Sequence, residues 1–170
     1  MRYTGNAWNK EFLDYESLYQ WSIQETKKFW LSVWEFTDII AEFRGNMVIK
    51  DHKKMPGAKW FPEARLNYAE NLLRRDDESD AIIFWGEDKV RKRLTFSKLK
   101  QQVAAVAQSL KARGIGPGDR IAGYLPNMPE TIVSMLATTS LGATWVSCSP
   151  DFGVQGILDR FGQVSPKILI

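Results

Sequence analysis

GDRIAGYLPNMPETIVSMLATTSLGATWVSC, residues 118–148, reads as strand, helix and strand in one unbroken run. Arg120 to Leu125 is apolar enough for a buried strand. Asn127 opens a helix, and Asn127-Met128-Pro129-Glu130 has the form of a capping box. Ile132, Val133, Leu136 and Leu141 supply its apolar side, and Gly142 ends it. Ala143 to Cys148 is the second strand. Strands that alternate with helices read as parallel neighbours joined by crossover helices.

The same alternation extends both ways. Upstream, Leu99, Val103, Val106 and Leu110 form an amphipathic stripe. Thr95 or Ser97 caps that helix, and Gly114 stops it with Ile115 folding back on Leu110. Before it, Ala81 to Trp85 is an apolar strand, Gly86-Glu87-Asp88 a turn, and Arg91 to Leu94 a more exposed return strand. Downstream, Gly153 to Gln163 is a helix and Lys167 to Ile170 a last strand. The prediction is an α/β fold of parallel-sheet βαβ units, with strands apolar because both sheet faces are covered.

Residues 1–74 read differently, as a helical and irregular extension before an α/β part over 75–170. Asp14 caps a short helix carrying Leu18 and Trp21. A second helix from Glu25 to Thr37 aligns Phe29, Trp30, Val33 and Trp34 on one stripe. So small a segment has no evident core of its own, so the stripe is expected to dock elsewhere. Gly45 to Pro62 reads as extended loop with a turn at Pro56-Gly57, and Glu63 to Leu73 as a third helix. The polar run Arg74 to Asp80 links the two parts.

Composition narrows the function classes. In 170 residues, 44% hydrophobic and 25% charged, there is ordinary globular material and neither a collagen-like repeat nor a disordered tail. No apolar run approaches the roughly 20 residues of a membrane helix, and no h-region marks a secretory signal. A net charge of +3 permits an anionic ligand without demanding nucleic acid. The single cysteine, Cys148, and the single histidine, His52, allow neither an internal disulfide nor a Cys- or His-based metal site. A reducing cytoplasm is the expected compartment.

Most motif-like runs have structural readings. Gly114 to Asp119 follows a helix and opens a strand, the reverse of a dinucleotide fingerprint, and reads as a helix stop and turn. Thr138 to Thr144 is rich in hydroxyls but has no Lys and spans a helix end. Lys89, Arg91, Lys92 and Arg93 read as a solvated hairpin blunting a sheet edge, with phosphate or RNA binding as the sharper alternative. His52 sits in a charged loop and reads as solvent-exposed. Ser147-Cys148-Ser149-Pro150-Asp151-Phe152-Gly153 stands out. It follows a parallel strand's carboxyl end, where open α/β sheets place ligands, and its plain reading is a βα loop with Asp151 as N-cap.

Several segments together resemble one family. Trp60 to Asn71 (WFPEARLNYAEN) is similar to the N-terminal segment of the acetyl-CoA synthetase group of adenylate-forming enzymes. Leu94-Thr95-Phe96-Ser97-Lys98-Leu99 resembles an early element of that superfamily, with Phe96 and Lys98 in place of Tyr and Glu. Gly118 to Glu130 resembles its Gly-Asp-Arg-Val strand and following helix. Ser147 to Gly153 is most similar to the acetoacetyl-CoA synthetases within the group. The resemblance runs from about Asp14 to Ile170.

It implies an N-terminal portion of the adenylate-forming fold, preceded by an extension that covers the large domain. It implies a ligase that uses ATP, CoA and Mg²⁺, through an acyl-adenylate. The family's phosphate loop, ribose-binding Asp and lid Lys fall beyond residue 170 of its pattern. The expectation is therefore an N-terminal fragment, inactive alone, whose partner is the remainder of its own chain. Catalytic and metal residues are expected to be none here. Ser149, Asp151, Phe152 and Gly153 match the position, though not the residues, of a loop near the CoA nucleotide. Two alternatives stand beside this reading: a non-catalytic binding or self-association module, and a nucleic-acid binder through Lys89 to Arg93.

Overall fold

The structure, a computed structural model, describes residues 1–87 and 89–170. The expected turn at Gly86-Glu87-Asp88 includes Asp88, which lies outside the described residues. Two compact units divide the chain, Met1–Leu66 and Asn67–Ile170.

The first unit holds helices α1 (Arg2–Trp8), α2 (Tyr15–Gln24) and α3 (Thr26–Phe36) and a minimal antiparallel ladder, β1 (Ile49–Lys50) with β2 (Lys59–Trp60). Asp14 caps α2 reciprocally with Ser17: the Ser17 amide donates to Asp14 Oδ1 at 2.8 Å, and the Asp14 amide donates to Ser17 Oγ at 3.3 Å. The unit has its own aromatic core, contrary to the expectation that it lacked one. Trp21, 4% exposed, packs its ring against Trp8, Phe12 and Phe29 at centroid distances of 6.4, 5.3 and 6.5 Å. Trp8 Nε1 donates to Ser32 Oγ at 2.5 Å, so the buried hydroxyl of α3 is satisfied. The Phe29/Trp30/Val33/Trp34 stripe is only partly covered. Trp30 meets Trp60 and Trp34 meets Phe61 at 5.0 and 4.6 Å, yet Trp30 stays 38% exposed.

The second unit begins with α4 (Tyr68–Leu72), shorter than the expected helix over Glu63 to Leu73. Asn67 fixes its start by accepting from the Glu70 amide at 3.1 Å. The same side chain donates to the Thr139 and Ser140 carbonyls at 3.0 and 3.2 Å, satisfying acceptors at another helix's end. Strands β3 (Asp80–Gly86) and β4 (Val90–Thr95) form a separate antiparallel pair. This differs from the expectation for so apolar a strand: β3 is not covered on both faces. Ile82 and Leu94 face the core, whereas Ile83 and Trp85 are 54% and 65% exposed. Only three residues separate β3 from its return strand, which makes that strand the cheapest partner in loop-closure entropy.

Helix α5 (Phe96–Ala112) is capped by Thr95, whose hydroxyl accepts from the Lys98 amide at 3.3 Å. Leu99, Val103 and Leu110 are buried, each worth about 1.5–3 kcal/mol of apolar transfer. Its end is a Schellman turn: Gly114 at φ 76° donates to Lys111, and Ile115 donates to the Leu110 carbonyl. Then come β5 (Arg120–Tyr124), α6 (Pro129–Ser140), β6 (Thr144–Cys148), α7 (Val154–Gly162) and β7 (Ile168–Leu169). The parallel sheet has the order β6-β5-β7. The expected capping box at Asn127 does not form. Met128 is the N-cap, without a side-chain bond, and Pro129 opens the helix because it has the right φ and no amide to satisfy.

Alternation along β5 gives the sheet two faces. Ile121, fully buried, packs with Trp145 and Ile168 beneath α5 and α6. Ala122 and Tyr124 pack with Val146, Cys148 and the α7 residues Ile157 and Phe161 on the other side. At the amino end of β5, Asp119 accepts from the Gly116 amide at 2.9 Å and pairs with Lys167 at 2.5 Å. The lysine's hydrogen bond, then the amide's, holds its carboxyl below the ordinary value of 3.8. Among the described residues no helix is long and apolar enough to cross a membrane.

Candidate functional site

Helix α6 leaves the carboxyl end of β5 toward one sheet face, and α7 leaves the carboxyl end of β6 toward the other. β5 and β6 are neighbours, with Tyr124 opposite Cys148 in register. Two adjacent strands whose loops diverge to opposite faces make a topological switch point, where open α/β sheets hold ligands. Its walls are residues 125–128 and 149–153.

All four residues singled out in the sequence lie in the second wall. Ser149 Oγ donates to Asp151 Oδ2 at 2.7 Å, and the Asp151 amide returns to Ser149 Oγ at 3.3 Å. Asp151 is thus held within the turn and is not the helix cap, correcting the plain reading of this loop. Gly153 is the N-cap of α7. Asp151 lies two positions too early to reach the first amides of that helix. A Cβ added at Gly153 would meet nothing within 4 Å, so that side of the helix start is uncrowded. Phe152 stacks under the guanidinium of Arg160, 3.8 Å from the ring centroid.

Two residues that the sequence did not single out complete this site. Arg160 sits on α7 and clamps Phe152. Tyr124 reaches across from β5, and its hydroxyl donates to the Pro150 carbonyl at 2.8 Å, with the Phe152 carbonyl as a second acceptor at 3.3 Å. The available signal was positional: Tyr124 is the last residue of a central strand.

The other candidates lie on other elements, although Lys92 of the hairpin reaches Glu130 in the first turn of α6. In the basic hairpin, Lys92 pairs with Glu130 at 2.5 Å and Arg93 pairs with Asp80. The lysine's hydrogen bond holds the Glu130 carboxyl below its ordinary value. Arg91 stacks on Trp85, 4.7 Å from the ring centroid. Three of the four cations therefore have partners within the fold. His52 is exposed in the first unit. Among the described residues no group of three or more His, Cys, Asp or Glu could hold a metal ion, so no residue here is assigned to Mg²⁺.

Comparison with known proteins follows the same division. Residues 70–170 match the family model for the AMP-binding enzyme, and residues 15–72 match that for the acetyl-coenzyme A synthetase N-terminus. The acetoacetyl-coenzyme A synthetase of Rhizobium meliloti (strain 1021) is 53% identical over 166 residues, covering 98% of this chain and 25% of the relative. The acetoacetyl-CoA synthetase of Xenopus tropicalis is 43% identical, covering 92% of this chain and 24% of the relative. The solved acetoacetyl-CoA synthetase from Streptomyces lividans superposes with a TM-score of 0.89 at 41% identity, covering 99% of this chain and 27% of that one. The chain thus spans about a quarter of the length of these relatives. Its fold matches the N-terminal part of an adenylate-forming acyl-CoA synthetase, and the chain belongs to the AMP-binding enzyme family.

Proposed function

We propose that this chain is the N-terminal part of an ATP-dependent, AMP-forming ligase that joins acetoacetate to CoA. The single observation that carries the substrate is the 53% identity to an acetoacetyl-coenzyme A synthetase across nearly the whole chain. In the first step an acetoacetate oxygen attacks the α-phosphorus of ATP, and pyrophosphate leaves. In the second the CoA sulfur attacks the acyl carbon, its thiol proton is lost, and AMP departs with the former carboxylate oxygen. Both steps develop charge on phosphate oxygens and need fixed cations and donors there. Mg²⁺ would supply part of that charge, and no residue described here is asked to hold it.

In this reading residues 1–74 are a helical extension and 75–170 open the large domain. The Ser149–Gly153 loop faces CoA: its βα position at the switch point and its uncrowded helix start suit a nucleotide phosphate. Residues 1–170 alone carry no Ser/Thr/Gly/Lys phosphate loop and are inactive. The compartment is the cytoplasm. The test is CoA-dependent product formation by the protein carrying this chain. Equal yields of AMP and acetoacetyl-CoA support the proposal. ADP in place of AMP, or turnover indifferent to acetoacetate, contradicts it.

A second reading rests on an apolar groove of about 340 Å³ in the first unit, lined by Trp30, Trp34, Trp60, Phe61 and others. Exposed rings of this kind favour docking, either of the remainder of the chain or of a second copy. Sedimentation separates the two: a concentration-dependent dimer that Trp30→Glu abolishes supports self-association, and a monomer at all concentrations removes it.

A further inference from the structure

We infer that Tyr124 is a positioning residue that sets the shape of the CoA-facing loop, an inference that rests on the ligase reading above. Tyr124 ends the central strand, and its ring packs on the sheet face shared with Val146, Cys148 and Phe161. The ring is therefore anchored in a core cluster while its hydroxyl reaches the loop. That hydroxyl meets the carbonyls of Pro150 and Phe152, on either side of Asp151. The other bonds described for this loop are local: Ser149 to Asp151, and Phe152 to Arg160 of the helix that follows. Local bonds shape a loop but do not place it against the neighbouring strand. The tyrosine does, because it spans the crevice from β5 to the segment after β6.

A loop held in its binding shape does not spend ligand affinity on ordering itself. Removing the tie should therefore weaken CoA and leave the adenylation step alone, since that step precedes CoA entry. Tyr124→Phe keeps the packed ring and deletes the hydroxyl, so the fold survives the substitution.

The experiment compares wild-type and Tyr124→Phe full-length enzyme in two assays. One is acetoacetate-dependent ATP–pyrophosphate exchange without CoA, and the other is the CoA dependence of acetoacetyl-CoA formation. The expected result is a rise of about fivefold in KM for CoA, the weight of one neutral hydrogen bond, with exchange unchanged. An unchanged CoA KM in an enzyme that still makes acetoacetyl-CoA overturns the role of Tyr124 and leaves the ligase reading standing. A parallel fall in exchange and in the CoA step shows a merely structural residue and also overturns it. Wild-type enzyme that forms no acyl-CoA overturns the ligase reading itself, and this inference with it.

Discussion

The indole of Trp145 lies over the bare Cα of Gly123. A Cβ on Gly123 would stand 2.3 Å from both Cη2 and Cζ2 of the ring. Trp145 packs against the cluster that holds Ile121, so a shift of the ring would disturb that packing. Gly123→Ala is expected to cost about 1–3 kcal/mol, measured by equilibrium urea unfolding. Combining it with Trp145→Leu should recover much of that loss, because the clash requires both partners. A loss below ~0.5 kcal/mol for the single variant would show that the indole moves aside.

Asn67 serves two helices with one side chain, capping α4 and holding the last carbonyls of α6. Asn67→Ala should lower stability by about 1–2 kcal/mol, while Asn67→Asp should retain the cap and lose the bonds to Thr139 and Ser140. Equal losses in the two variants would contradict the double role.

Trp21 and Trp30 separate a core ring from a surface ring. Trp21→Ala should destabilise the protein by about 3–5 kcal/mol, because the ring is buried among three other aromatics. Trp30→Ala should cost clearly less, since that ring is 38% exposed. Thermal melts that rank the pair the other way would overturn this packing.

Acid should weaken the fold in a defined window. Hydrogen bonds from Ser79 and Arg75 hold the Asp77 carboxyl down at about 2. Asp119 and Glu130 are also held below their ordinary values. A depressed carboxyl contributes stability that is present above its unfolded value and lost as pH falls through its folded value. The melting temperature should therefore stay level from about pH 8 to 5 and fall below about pH 4. Asp119→Asn should lower the plateau and flatten part of the acid slope. A slope identical to wild type would remove Asp119 from the account.

Much of the fold was legible in residues 81–170, where period and punctuation agree. The 4, 3, 4 spacing on α5, and the Gly114 and Gly142 stops, locate their elements to within a residue or two. Asn127 misled because a proline one position past the true cap overrode a good capping pattern. The first sixty residues were harder. Helix α1 has no capping side chain and no apolar period, so nothing announces it. The Phe29–Trp34 stripe is regular enough to suggest a core, but the central ring is Trp21, chosen by tertiary packing. At the site, Ser149 to Gly153 were legible from their place after a parallel strand. Tyr124 was not, because its partners are loop carbonyls 26 and 28 residues away that no sequence period encodes.

Adenylation of acetoacetate by the protein carrying this chain tests the central claim most directly. Exchange of labelled pyrophosphate into ATP, with acetoacetate and without CoA, isolates that step. The account predicts exchange that depends on acetoacetate and exceeds that with acetate or propionate. Exchange absent with acetoacetate, or supported equally by all three acids, would contradict it.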